Sequence, residues 1–89
     1  MVQKVICKMQ CHQNTGEARI SEEKGDSTAH IKMGAVWEGT IEAQRASENA
    51  IFGRYSPWGS FEMGIANPDA ASFFVPGQKY YVTFTKAPD

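Results

Sequence analysis

Hydrophobic and polar positions alternate along much of this chain. Val5, Cys7, Met9 and Cys11 share one face of residues 2–12, and Lys4, Ile6, Lys8 and Gln10 share the other. A period of two with one polar side predicts a half-buried strand. Asn14-Thr15-Gly16 follows as a turn signal. Residues 27–37 alternate again: Ala29, Ile31, Met33, Ala35 and Trp37 fall on one face, His30, Lys32 and Val36 on the other. Phe61, Met63 and Ile65 alternate with Ser60, Glu62 and Gly64, and residues 80–85 read as a last strand. Tyr80 and Tyr81 are consecutive there, so one faces the core and the other solvent or an interface. A further short strand is expected over residues 18–20, ahead of the polar tip Glu22-Glu23-Lys24-Gly25-Asp26.

One helix has clear boundaries. Asn67 is an N-cap candidate, Pro68 suits the first helical position, and Asp69 suits the positive end of the helix dipole. Pro76-Gly77 stops continuation beyond Phe74. A helix over residues 68–74 is too short to persist alone, so Phe73 and Phe74 are expected to pack on the sheet. The middle is ambiguous: residues 41–46 fit a helical turn or an irregular strand equally well. Ser47-Glu48-Asn49 is turn-like, Ile51-Phe52 can anchor the segment, and Ser56-Pro57-Trp58-Gly59 is a turn with proline at its second position. These elements predict a mainly β (α+β) fold. The expected form is a small antiparallel sheet of five or six strands, curled into a partial barrel of the OB or SH3 kind, with one short helix plugging an end.

At 89 residues the chain makes one domain with a small core, burying only roughly 60–65% of its unfolded surface. Such a core leaves little stability margin, and free strand edges are liabilities. A homo-oligomer that covers an edge is therefore expected. The formal charge of −1 argues against a strong electrostatic grip on a long nucleic acid or an anionic membrane. No run is apolar enough to span a bilayer and no signal peptide is visible, so synthesis in the cytosol with reduced thiols is expected.

Cys7, Cys11 and His12 invite a metal reading that geometry opposes. Residues four apart on a strand lie roughly 13 Å apart along its axis, whereas zinc needs thiolates about 2.3 Å away. Buried structural thiols are the expectation, and a nucleophilic thiol would need His12 or His30 beside it. His30 is expected to face solvent. No triad, calcium loop, P-loop or dinucleotide fingerprint can be assembled, so no cofactor and no enzymatic activity are expected. The strongest candidates are aromatic and cationic: Arg45, Arg54, Tyr55 and Trp58, with Trp37 as either core or site. Rings and guanidinium planes stack on bases, guanidinium forks grip phosphate, and the same residue types dominate protein interfaces. Glu48 and Asn49 join them as a polar pair, not readily explained by packing, that would bind a backbone, a subunit or a ligand.

Ala35-Val36-Trp37-Glu38-Gly39, Glu48-Asn49 with Phe52, Ser56-Pro57 with Gly59, Asn67-Pro68 with Ala70-Ala71 and Phe74, and Pro76-Gly77 with Tyr80-Tyr81-Val82 and Phe84-Thr85 occur in this order. From residue 35 onward the chain resembles a family of small proteins encoded by tailed bacteriophages. The resemblance implies an origin and not a mechanism. It frames three expectations for a non-enzymatic binding protein in the host cytoplasm or the virion. Arg45 and Arg54 would hold a nucleotide or small anionic ligand, with Tyr55 and Trp58 stacking on its base. Alternatively, the protein decorates or joins the virion. In the third case it inhibits a host protein through a surface around Trp58 and Tyr81.

Overall fold

The alternation of the first segment becomes the longest strand of a computed structural model, which describes residues 3–53 and 57–89. Strand β1 spans Lys4–Asn14, β2 Ala29–Ala35, β3 Ser60–Ile65 and β4 Lys79–Thr85. Two five-residue helices, α1 (Ile41–Arg45) and α2 (Pro68–Ser72), and a 3-10 turn at Ala50–Phe52 complete the elements. All neighbouring strands are antiparallel, in the order β3-β2-β1-β4.

The sheet is open, which corrects the expected barrel. Residues 18–20 contribute only an isolated bridge between Arg19 and Ser27, not a strand. Among the described residues the fold therefore has four strands, not five or six. The reason is visible in composition: the 22–26 tip has no apolar residue to bury, and Ile20 stays exposed. The chain forms a slab of 53 × 34 × 16 Å. Its radius of gyration is 15.9 Å, against about 12 Å for a compact domain of this length.

The core lies on the face that the alternation marked. Cys7, Met9, Cys11, Ala29, Ile31, Met33 and Ala71 are buried, and Phe52, Phe61, Ile65, Phe74, Tyr80 and Val82 pack around them. Both thiols are free, as the strand geometry required. Register joins the odd positions of β1 to the even positions of β4, so Val5 lies opposite Phe84, Cys7 opposite Val82 and Met9 opposite Tyr80. Tyr80 is thus the core tyrosine and Tyr81 the exposed one. The ladder shifts between Cys11 and Gln13, which makes His12 the bulged residue of β1. Its ring lies over Gly34, where a Cβ would sit 2.8 Å from His12 Cδ2 and closer still to Nε2.

Helix α2 ends earlier than the pattern indicated, at Ser72. Asn67 caps it, its Oδ1 accepting from the N–H of Asp69 (2.9 Å) and Ala70 (3.4 Å). Asn14 holds the other end, donating from Nδ2 to the carbonyls of Ala71 (2.9 Å) and Phe74 (2.7 Å). Asn14 is therefore an anchor and not only a turn signal. Phe73, Phe74 and Tyr80 form an aromatic trio with centroids 5.3 to 5.6 Å apart. The Tyr80 hydroxyl donates to the Phe73 carbonyl (2.7 Å) and accepts from the Val75 N–H (2.8 Å). Phe74 packs against the core as expected, while Phe73 remains largely exposed. Of the two readings open for residues 41–46, the helix is realised. Thr40 caps α1 by accepting from the Ala43 N–H at 3.1 Å.

Candidate functional site

The site begins where β2 ends. Past the pair Met9–Ala35, strand β1 continues without a full partner on that side. The Val36 N–H still donates to the Lys8 carbonyl at 3.1 Å. The reciprocal link runs through a side chain. Asn49 Oδ1 accepts from the Lys8 N–H at 2.7 Å, and Nδ2 donates to the carbonyls of Lys8 (2.8 Å) and Val36 (3.0 Å). A carboxamide carries the same donor and acceptor as a peptide group, so Asn49 stands in for the missing strand residue. It is 1% exposed. Gln44, also buried, accepts from the Glu38 N–H at 3.1 Å and fixes the chain between β2 and α1.

Holding Asn49 in the ladder places its neighbour Glu48 over the polar face of β1 and β4. Lys8 and Tyr81 are register partners on that face. Glu48 Oε1 accepts from Lys8 Nζ at 3.2 Å, and its other oxygen accepts a hydrogen bond from the Tyr81 hydroxyl. Each group shifts the others. The Tyr81 hydroxyl, then Lys8, hold the Glu48 carboxyl below its ordinary range. The hydrogen bond to Glu48 raises both Lys8 and Tyr81. The three surround an open concavity of about 420 Å³, lined also by Ile6, Asn49 and Thr83. A volume of this order is usual for small-molecule sites, but of the lining residues only Ile6 is without a polar side-chain group.

The predicted site residues disperse around this concavity. Glu48 lines it as a polar group. Asn49 reaches its edge, and its three side-chain hydrogen bonds go to backbone, the first of the alternatives open for this pair. Arg45 ends α1 with its side chain exposed and does not line the concavity. Trp58 is 87% exposed and also lies outside the lining. Arg54 and Tyr55 fall outside the described residues. Trp37 is 41% exposed, beyond the end of β2. The alternation marked Ile6 and Lys8 as the polar face, but only register could bring Tyr81 and Thr83 beside them.

The second cluster on the polar face joins β2 to β3. His30, exposed as expected, has Nε2 3.0 Å from a Glu62 oxygen, and Lys32 Nζ lies 3.6 Å from the other. Burial pushes the Cys7 thiol up, away from the thiolate that a nucleophile requires. Among the described residues no group of three or more His, Cys, Asp or Glu side chains converges as a metal site would. Scanned against protein families, curated proteins and solved structures, the chain matches none.

Proposed function

We propose that this chain is a non-enzymatic binding module, a small accessory protein of bacteriophage origin, whose partner is another protein. That partner is a component of the virion or a protein of the host cytoplasm. One observation carries the reading: Ile51, Trp58, Phe73 and Tyr81 are each more than half exposed on an 89-residue slab. Aromatic side chains left outside a core are the usual anchors of protein interfaces.

The concavity supports a second reading, a small ligand. Among the described residues its one lining cation is Lys8, already held by Glu48, so a nucleotide phosphate there would have to displace a carboxylate. A ligand that offers a hydrogen-bond donor to Glu48 suits this lining better than an anion.

Affinity capture from infected cells, comparing wild type with W58A and Y81A, tests the proposal. A stoichiometric protein partner that W58A or Y81A loses is the expected result. Identical recoveries from all three, together with a small molecule retained in native mass spectrometry, would replace the protein partner with the ligand.

A further inference from the structure

The phase of the hydrogen-bond ladder shows which backbone groups the sheet edges offer. Lys8 bonds toward β2, and Cys11 bonds toward the β4 side, donating to the Gln78 carbonyl at 2.9 Å. Antiparallel strands alternate in this respect. Odd residues of β1 therefore bond to Tyr80, Val82 and Phe84, and Lys79, Tyr81, Thr83 and Thr85 direct their N–H and C=O groups outward. β4 is an edge strand among the described residues. On β3 the Ala35 N–H donates to the Gly59 carbonyl, so Ser60, Glu62 and Gly64 are the outward residues.

The two edges differ when each meets a copy of itself. For β4, one antiparallel register pairs every outward residue: Lys79 with Thr85, Tyr81 with Thr83, and the two-fold axis at Val82. It opposes no like charges. It also continues the apolar stripe of Tyr80, Val82 and Phe84 across the axis, with Tyr80 facing Phe84 of the second copy. Shifting that register by two residues leaves an outward residue of each strand unpaired. For β3, the register that pairs every outward residue sets Glu62 directly against Glu62 of the copy. A like charge opposite is a common guard of an edge strand.

We propose that this protein forms a two-fold dimer through β4, joining two four-stranded sheets into one of eight strands. The isolated chain's slab shape and the 56% exposure of Phe84 fit that arrangement. The proposal goes beyond the partner-binding reading and does not rest on it. A monomer that still captures a partner refutes this inference alone.

Sedimentation of the purified full chain tests it, with three variants. Thr83 donates outward, so T83P removes an inter-subunit hydrogen bond without touching the bonds to β1. T85E sets a carboxylate opposite Lys79 of the second copy twice per dimer, and T85K sets like charges there. The expected result is a dimer that T83P dissociates. T85E should tighten and T85K weaken it, each by about 2- to 30-fold in Kd. A single-chain mass at about 100 μM, generous for a contact at the small end of interface sizes, overturns the proposal. So does a dimer whose affinity ignores both Thr85 variants. The Thr85 pair decides the matter even where T83P does not fold.

Discussion

Asn49→Ala is the sharpest perturbation of this fold. It deletes the hydrogen bonds to the Lys8 N–H, the Lys8 carbonyl and the Val36 carbonyl. The Lys8 carbonyl keeps the Val36 N–H at 3.1 Å, so two groups are orphaned, the Lys8 N–H and the Val36 carbonyl. Each unsatisfied buried polar group costs about 1–3 kcal/mol. Lys8 and Val36 are themselves only half-buried, so water can reach the gap. The loss then falls in the lower part of the range, roughly 2–4 kcal/mol. That is a large share of the roughly 5–15 kcal/mol that holds a domain together. N49D keeps the acceptor for Lys8 but aims a carboxylate at two carbonyls. It should cost at least as much at neutral pH, with the deficit shrinking in acid as protonation restores a donor. Urea unfolding of the three proteins measures the loss, and hydrogen exchange at Lys8 localises it. An N49A protein within about 0.5 kcal/mol of wild type, or a Lys8 amide that exchanges like an open loop, would refute the ladder role of Asn49.

Other consequences follow from the same geometry. Asn67→Ala should destabilise by about 1 kcal/mol through loss of the α2 cap, measured by urea midpoint at unchanged slope. Gly34→Ala should displace the His12 ring and cost less than about 1 kcal/mol, since the clash meets the end of an exposed side chain; unchanged His12 ring resonances would contradict it. Tyr81→Phe removes the first cause of the Glu48 shift, so Glu48 should titrate closer to its ordinary range in an NMR pH series. The Glu48 link contributes above the ordinary carboxylate range and is lost as pH falls through its lowered folded value. Lys8 and Tyr81 are raised, so their contribution holds below about pH 10 and is lost as pH rises through their folded values. A shallower stability slope in Glu48→Gln than in wild type over the acid limb checks the sign.

Much of the sheet was legible because burial on one face writes a period of two into the sequence. Cys7, Met9 and Cys11, then Ile31 and Met33, then Phe61 and Ile65 all lie where alternation put them. The α2 cap was legible because Asn67 and Pro68 act locally. The open sheet was not, because closure depends on whether residues 18–20 find a partner strand, and strand pairing has no local signature. Asn49 shows the same limit from the other side. A polar residue before an apolar anchor looks like a contact residue, and nothing nearby in sequence reveals that its partner is the backbone of Lys8. Glu48 stood out as a polar residue without a packing role, but its grouping with Arg45 and Trp58 is not the one the structure shows. Lys8 and Tyr81 became its partners only through the register of β1 and β4.

In the proposed dimer the open sheet takes a second copy on its β4 edge, while Glu62 keeps the β3 edge free. Amide hydrogen exchange at two protein concentrations tests it directly. The amides of Tyr81, Thr83 and Thr85 should be protected in concentrated solution and exchange rapidly on dilution. Those of Ser60, Glu62 and Gly64 should exchange rapidly at both. Protection of both edges at every concentration would mean a closed sheet, and rapid exchange of β4 at every concentration would mean an edge that stays bare.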